Sequence, residues 1–537
     1  MQGRRIRVFD TTLRDGAQSE GISFSVADKI RIARRLDEFG VDYIEGGWPG
    51  SNAKDVELFE AMRRIPLRHA ALTAFGSTRR AHVRSEDDAV LLDLVRSGAR
   101  VIAIFGKTWD FHVTHALKVS LAENLAMIAD SVAFLKQHVE EVIFDAEHFF
   151  DGYRANPDYA LRCLRAAQDG GASVVVLCDT NGGTLPNDIA AGVRAARETV
   201  SVSIGIHAHD DSGCGVANSI VAVEAGADHV QGTINGYGER CGNANLCAVI
   251  PGLALKLGCD VLHDGALAHL TTLSQFVDEV ANVPHNARQA YVGRSAFAHK
   301  AGMHVDAVTK HRSTYEHVDP ESVGNSRRLL VSELSGGATV ASKAALRAMH
   351  LDKRSAEARH LLKRVAELER EGYAFEGAEA SFELLMLDAN GELRYPFEVL
   401  GFRVIVEKRG SDAPTTEATV KLRVHGVERL TVAEGDGPVH ALDQALRKAL
   451  NRFYPDLAGI RLTDFKVRVV NVREGTAARV RTIIDSRTED RSWSTVGVST
   501  NMIEASWHAL VDGVIYGLLC ARDAGAAPEQ TQVPDGG

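Results

Sequence analysis

The segment SIGIHAHDDSG, residues 203–213, sets two imidazoles, His207 and His209, one residue apart. In an extended chain, residues i and i+2 leave the same face, so both rings point together while Ala208 faces away. Such a pair is half of a metal site, or two histidines that hydrogen-bond core carbonyls. Asp15, far upstream in TTLRDGAQ, offers a carboxylate. One carboxylate with two imidazoles suits Mn²⁺, Zn²⁺, Fe²⁺ or Co²⁺ better than Mg²⁺, which prefers oxygen and water. Further polar residues gather where short apolar runs end: Asp10, Thr11 and Arg14, then Glu45, Glu147, Asp179 to Asn181, and Asp210.

A scaffold must bring these positions together, and the hydrophobic pattern supplies one. Strands are expected at 6–10, 43–46, 70–74, 101–105, 142–146, 174–178, 203–208 and 229–232. Amphipathic helices are expected between them at 26–39, 54–64, 87–97, 121–137, 157–168, 186–198 and 216–225. Several helices end in Gly before the next strand, as in EFGVDYIE and EAGADHVQ, the mark of a C-cap followed by a buried parallel strand. Eight βα units over about 250 residues predict an α/β fold, a TIM (β/α)8 barrel rather than an open doubly wound sheet. No Gly-rich dinucleotide fingerprint follows the first strand. In such a barrel chemistry sits at the C-terminal ends of the strands, which is where the polar set falls.

Beyond the barrel, expected over 1–258, the pattern turns helical and irregular, a linker region over 259–377 that completes the active site. From 378 the strand-like runs FELLMLDANG, FRVIVEKRG and EATVKLRVHG precede a helix at 439–452. LTDFKVRVVNVREG, AARVRTIIDSR and SWSTVGVSTN then precede a helix at 502–519. Three strands and a helix, twice, make an α+β regulatory domain over 378–522, with a disordered tail at 523–537. At 537 residues the chain is too long for one ordinary domain. A net charge of −10 without a Lys/Arg run argues against nucleic acid, and no window nears the roughly 18 apolar residues that span a membrane. Seven cysteines without a CxxC pair do not read as a disulfide framework, and the opening MQGRRIRVFDTTLRDG has no secretion signal. A cytoplasmic location is expected.

TTLRDGAQ with Lys29 downstream, HAHDDSG and GTINGYGERCGN together resemble the metal-dependent acyl-CoA condensing enzymes. That family holds the 2-isopropylmalate, homocitrate and citramalate synthases, with HMG-CoA lyase as a relative. The resemblance covers nearly the whole chain, since the C-terminal repeat is similar to the regulatory domain of the leucine-pathway synthases. GVDYIEGGWPGSNAKD is most similar to the citramalate-forming branch. The activity implied is a Claisen-type condensation of acetyl-CoA with pyruvate and water to (R)-citramalate and CoA, a step toward isoleucine. The alternatives are 2-isopropylmalate or homocitrate synthesis, a lyase running the carbon–carbon bond backwards, or, outside the family, a non-catalytic amino-acid sensor or a metal-dependent hydrolase. Hydrolases commonly place their HxH on the first barrel strand, whereas this one closes the seventh.

The resemblance also implies roles. Asp15, His207 and His209 become metal ligands, with Asn243 of RCGN as a further one; the cation is Mn, Zn or Mg. Arg14 would stabilise the oxygen that gains charge, the alternative being a surface ion pair. Gln18 and Thr180 would bind substrate, Thr180 at the oxo-acid carboxylate unless it is a helix N-cap. Glu147 is the base for the acetyl methyl proton, or a barrel ion-pair partner. His304 in KAGMHVDAV and Tyr315 in STYEHVDP match catalytic residues that relatives contribute to the neighbouring subunit, which implies a homodimer. Phe75 and Phe105 either narrow the pocket around pyruvate's methyl group or pack the core. Isoleucine would be the feedback inhibitor, unless the C-terminal domain only dimerises. Asp210 departs from the family's usual Asn and puts extra negative charge beside the metal.

Overall fold

The computed structural model describes residues 1–331, 344, 355–470, 477–488 and 491–525. They form two compact units, Met1–Phe297 with His317–Arg327, and Ala298–Glu316 with the chain from Arg328 onward. In the first unit eight strands close a parallel barrel in sequence order. They are β1 (Arg7–Asp10), β2 (Tyr43–Gly47), β3 (Ala71–Ser77), β4 (Val101–Lys107), β5 (Glu141–Glu147), β6 (Val174–Asp179), β7 (Ser203–Ala208) and β8 (His229–Gly232). The closure is β8 on β1, with Asp10 opposite Gly232.

Alternation along the strands builds two cores. Phe9, Tyr43, Ala103, Ile143 and Val176 pack together as one cluster, while their neighbours Val8, Ile44, Ile102, Phe144 and Leu177 pack in the cluster that takes in the helices. Five of the barrel helices start on side-chain caps: a Ser25–Asp28 capping box, then Asn52, Asp88, Ser120 and Asn156. Gly40 ends the helix Val26–Phe39 at φ 93°, donating its N–H to Leu36 O at 3.0 Å, a left-handed turn that a Cβ would strain. The expected TIM barrel is therefore the observed one, with strand and helix ends shifted by a few residues.

The second unit holds two antiparallel three-stranded sheets. Glu398–Glu407, Thr415–Val424 and Val427–Gly435 lead into the helix Pro438–Leu450, and Arg461–Val469, Val480–Arg487 and Ser492–Ser499 into Met502–Gly525. The repeat expected from sequence is present, but one of its strands is not. Of FELLMLDANG, residues 382–389 are helical, the end of the helix Glu379–Ala389, and the third strand of the first sheet is Val427–Gly435. Ala380, Ser381, Phe382, Leu384 and Met386 are all buried along that helix, and burial around most of the circumference erases the 3.6-residue period. The tail expected from 523 lies, from 526 on, outside the described residues. Among the described residues, no helix is long and apolar enough to cross a membrane.

Candidate functional site

Three of the predicted ligands converge across the barrel mouth. Asp15 opens the short turn after β1, His207 sits on β7 and His209 just past it. Asp15 Oδ2 lies 3.3 Å from His207 Nε2 and 3.9 Å from His209 Nε2, and the two Nε2 atoms are 3.3 Å apart. Donors bound at about 2.0–2.2 Å to one ion sit roughly 3–3.6 Å apart, so this buried triangle needs little contraction to hold a cation. Asn243 is joined to His209 by a backbone bridge. Its Nδ2 donates to Tyr237 O at 3.1 Å, while its buried Oδ1 has no hydrogen-bond partner among the described residues, the state expected of an oxygen kept for a ligand. The donor set fits a divalent metal.

Electrostatics prepare the same atoms. Burial pushes the Asp15 carboxyl up, but Arg14 and then His207 outweigh it and hold it well below the usual range. Burial, reinforced by His207, lowers His209 to about 4, so its ring is neutral and offers a lone pair at neutral pH. At His207 burial acts downward, yet the hydrogen bond and charge of Asp15 raise it. Behind His207 stands a relay: Nδ1 meets Gln231 Oε1 at 2.8 Å, and Gln231 Nε2 donates to Asp145 Oδ1 at 3.1 Å. With the amide oxygen accepting from Nδ1–H, Nε2 is the atom left for a metal. Gln231→Leu should therefore weaken Mn²⁺ binding by about 10–100-fold, measured calorimetrically, with the barrel still folded. Asp145 is buried beside these groups, and burial, then Glu45, raises it to about 7.

Arg14 is held, not exposed. Its Nε donates to Glu45 Oε2 at 2.7 Å, an oxygen that also accepts from the Thr11 hydroxyl. Its guanidinium carbon lies 3.8 Å from the centroid of the Phe75 ring. Phe75 stacks on Phe105 at 5.6 Å, and Trp48 meets both edge-on. These groups and the triad line one cavity of about 390 Å³, joined by Gln18, Glu147 and Thr180. Glu147, at the end of β5, is ion-paired with Lys107 of β4. The Thr180 hydroxyl accepts from His148 N–H at 2.9 Å, and the N-cap position of the helix Pro186–Thr199 is Leu185, not Thr180.

Asp210 does not bring its charge to the triad's hydrogen bonds. Its Oδ1 accepts from Gly215 N–H at 2.7 Å, at the start of the helix Gly215–Ala225, where a carboxylate is favoured by the helix dipole. Asp211 instead binds Arg240 at 2.7 Å, and Arg240 also reaches Thr180 O at 2.8 Å, tying the β6 and β7 loops together. His304 and Tyr315 belong to the second unit, where their rings stack at 4.1 Å and Tyr315 is 47% exposed. Sequence reasoning missed Asp145, Lys107, Gln231 and Trp48. Gln231 carried a signal, a polar side chain sharing one face of the expected strand 229–232 with His229, and Asp145 another, two residues before Glu147 on one strand face.

Comparison with known proteins adds the family. Residues 5–277 match the family described as HMGL-like, 291–372 the homocitrate synthase post-HMGL domain-like family, and 376–518 the LeuA allosteric (dimerisation) domain. The chain is 54% identical over 514 residues to the (R)-citramalate synthase of Geobacter sulfurreducens, spanning 96% of this chain and 97% of that one. It is 52% identical over 523 residues to that of Aquifex aeolicus, spanning 97% and 99%. Identity to the probable 2-isopropylmalate synthase of Methanopyrus kandleri is 33% over 511 residues, spanning 95% and 98%. By its barrel, its C-terminal repeat and this gradient of identity, the chain belongs to the HMGL-like family, on its (R)-citramalate synthase branch.

Proposed function

We propose that the chain condenses acetyl-CoA with pyruvate and water to (R)-citramalate and CoA. The carrying observation is that Asp15, His207 and His209 share a cavity with a buried, carboxylate-held Arg14 and a wall of aromatic rings. Citramalate synthases 46–54% identical over nearly the whole chain support the same reading. Those three residues with Asn243 would hold a divalent cation, which would supply Lewis-acid polarisation of the ketone; the two imidazoles would favour Mn²⁺ or Zn²⁺ over Mg²⁺.

The chain's own groups do the rest. Thr180 and Gln18 orient the oxo acid in the cavity, with its carboxylate at Thr180. Glu147 takes a methyl proton from acetyl-CoA at its carboxylate oxygen. The resulting carbon nucleophile attacks the ketone carbon, and Arg14 meets the charge that grows on the ketone oxygen. Because Glu45 fixes Nε, the outer guanidinium donors are aimed before substrate arrives. Water then cleaves the thioester and frees CoA. His304 and Tyr315 act in the partner subunit of a homodimer. Isoleucine, made onward from the product, is the feedback effector of the C-terminal domain, and the enzyme works in the cytoplasm.

The test follows free CoA thiol from acetyl-CoA with pyruvate, 2-oxoisovalerate or 2-oxoglutarate, with and without chelator. Pyruvate alone should support rapid release, chelation should stop it, and Mn²⁺ should restore it. Activity confined to 2-oxoisovalerate would overturn the substrate, and activity indifferent to chelation would overturn the metal's part. Millimolar isoleucine added to the same assay should slow it; an unchanged rate leaves the C-terminal domain as a dimerisation module only.

A further inference from the structure

Trp48, which follows β2, carries no role in the condensation just described. It is the third ring of the aromatic wall. Its indole lies 5.9 Å from Phe75 at an interplanar angle of 88°, and 5.8 Å from Phe105 at 79°. The two phenylalanines stack at 5.6 Å and 23°. Two stacked faces capped by one perpendicular edge make a closed corner, in the same cavity as Arg14 and the triad. Phe75 carries the Arg14 guanidinium on its face, so this corner lies beside the group assigned to the ketone oxygen.

The ring is held by a rigid frame. Gly47 takes φ +148°, and a Cβ there would sit 2.2 Å from Asp55 Cγ, so the chain turns into Trp48 with the Asp55 carboxylate pressed against it. Asp55 Oδ2 accepts from Trp48 N–H at 2.9 Å and from Asn52 Nδ2 at 3.1 Å. Asp55 Oδ1 accepts from Lys29 Nζ at 2.6 Å, and Lys29 also donates to Gly46 O at 3.0 Å. Lys29 and Asp55 are both nearly fully buried. A buried, saturated ion pair under the loop removes the freedom by which a surface ring would step aside. The indole Nε1 is itself buried with no acceptor among the described residues, so no hydrogen bond there explains the choice of this ring over a smaller one.

We propose that Trp48 is a specificity-determining residue, the fixed wall that limits the 2-oxo acid's side chain to a methyl group. The inference rests on the condensation of acetyl-CoA with a 2-oxo acid proposed above, and deepens it by naming what sets acid size. A pocket closed by rigid rings rejects an added methylene by about 10–200-fold, and removing one ring relieves that rejection.

The experiment compares kcat/KM for pyruvate, 2-oxobutyrate and 2-oxoisovalerate in the metal-loaded wild-type chain, Trp48→Ala and Trp48→Phe. Trp48→Ala should raise the ratio of 2-oxobutyrate to pyruvate by at least about tenfold. Trp48→Phe, which keeps a ring and deletes the orphaned donor, should stay much closer to the wild-type ratio. If both variants lose activity on every acid in the same proportion, or if Trp48→Ala keeps the wild-type ratio, Trp48 does not select size. Wild-type turnover separates the two readings. A chain inactive on pyruvate removes the proposed function and this inference with it. A chain active on pyruvate whose Trp48→Ala variant keeps its preference removes only the inference.

Discussion

His209→Ala should abolish CoA release in the presence of Mn²⁺ while the barrel stays folded. Losing an outer partner of a metal ligand costs about 10–100-fold, and losing a ligand itself costs more, because only one imidazole then remains beside the oxygen donors of Asp15 and Asn243. The fold should survive since, among the described residues, His209 Nδ1 makes no hydrogen bond and Nε2 has only His207 and Asp15 as polar partners. Calorimetric Mn²⁺ titration and circular dichroism on the same sample separate the two effects; wild-type turnover in this variant would strike His209 from the ligand set. The pH dependence of the metal-free protein gives a second readout. Folding depresses His209 to about 4, against about 6.5 in an unfolded chain. Between those values the unfolded chain binds more protons, so stability falls as pH drops through that window. Urea unfolding at neutral pH and near pH 5 should show a smaller acid loss in His209→Ala than in the wild type.

Arg14→Lys should lower kcat by about 10²–10³-fold, the cost of one preorganised donor to a developing oxyanion. Charge alone does not replace the guanidinium here. Nε is spent on Glu45, the plane lies over Phe75, and Nη2 lies 3.7 Å from Asp15 Oδ2; a lysine paired with Glu45 keeps two N–H donors, but all on one nitrogen, and does not reproduce the planar fork that serves several partners at once. Arg14→Met goes further, stranding the fully buried Glu45 without its cation, and should destabilise the chain by about 3–5 kcal/mol in urea unfolding. An Arg14→Lys variant with unchanged kcat would make Arg14 a structural partner of Glu45 only.

The barrel was legible because its grammar is local. Caps such as Ser25 and Asn52, glycines such as Gly40 and runs such as VVVL each announce an element without reference to the rest of the fold. Asp15, His207 and His209 were legible because strand parity and barrel closure carry residue type into position. The failures have different causes. The helix Glu379–Ala389 is buried on most sides and shows no period to read. Lys107, paired with Glu147, and Trp48, set against Phe75 and Phe105, matter through neighbours on adjacent strands. No spacing along one strand reports on the next. The partner of Asp210 was hidden for a related reason: Gly215 N–H is a backbone group that side-chain identity does not disclose.

Because Asp15 follows β1 while His207 and His209 end β7, the ion's donors come from the two extremes of the barrel's synthesis. No partial chain ending before β7 contains them all, and loop-closure entropy keeps them apart until the intervening strands have zipped up. Metal capture is thus a timer on ring closure. During refolding, Mn²⁺ uptake should lag behind the appearance of helix and coincide with the last cooperative step, so the cation would act as a latch on a finished ring and not as a seed for building it.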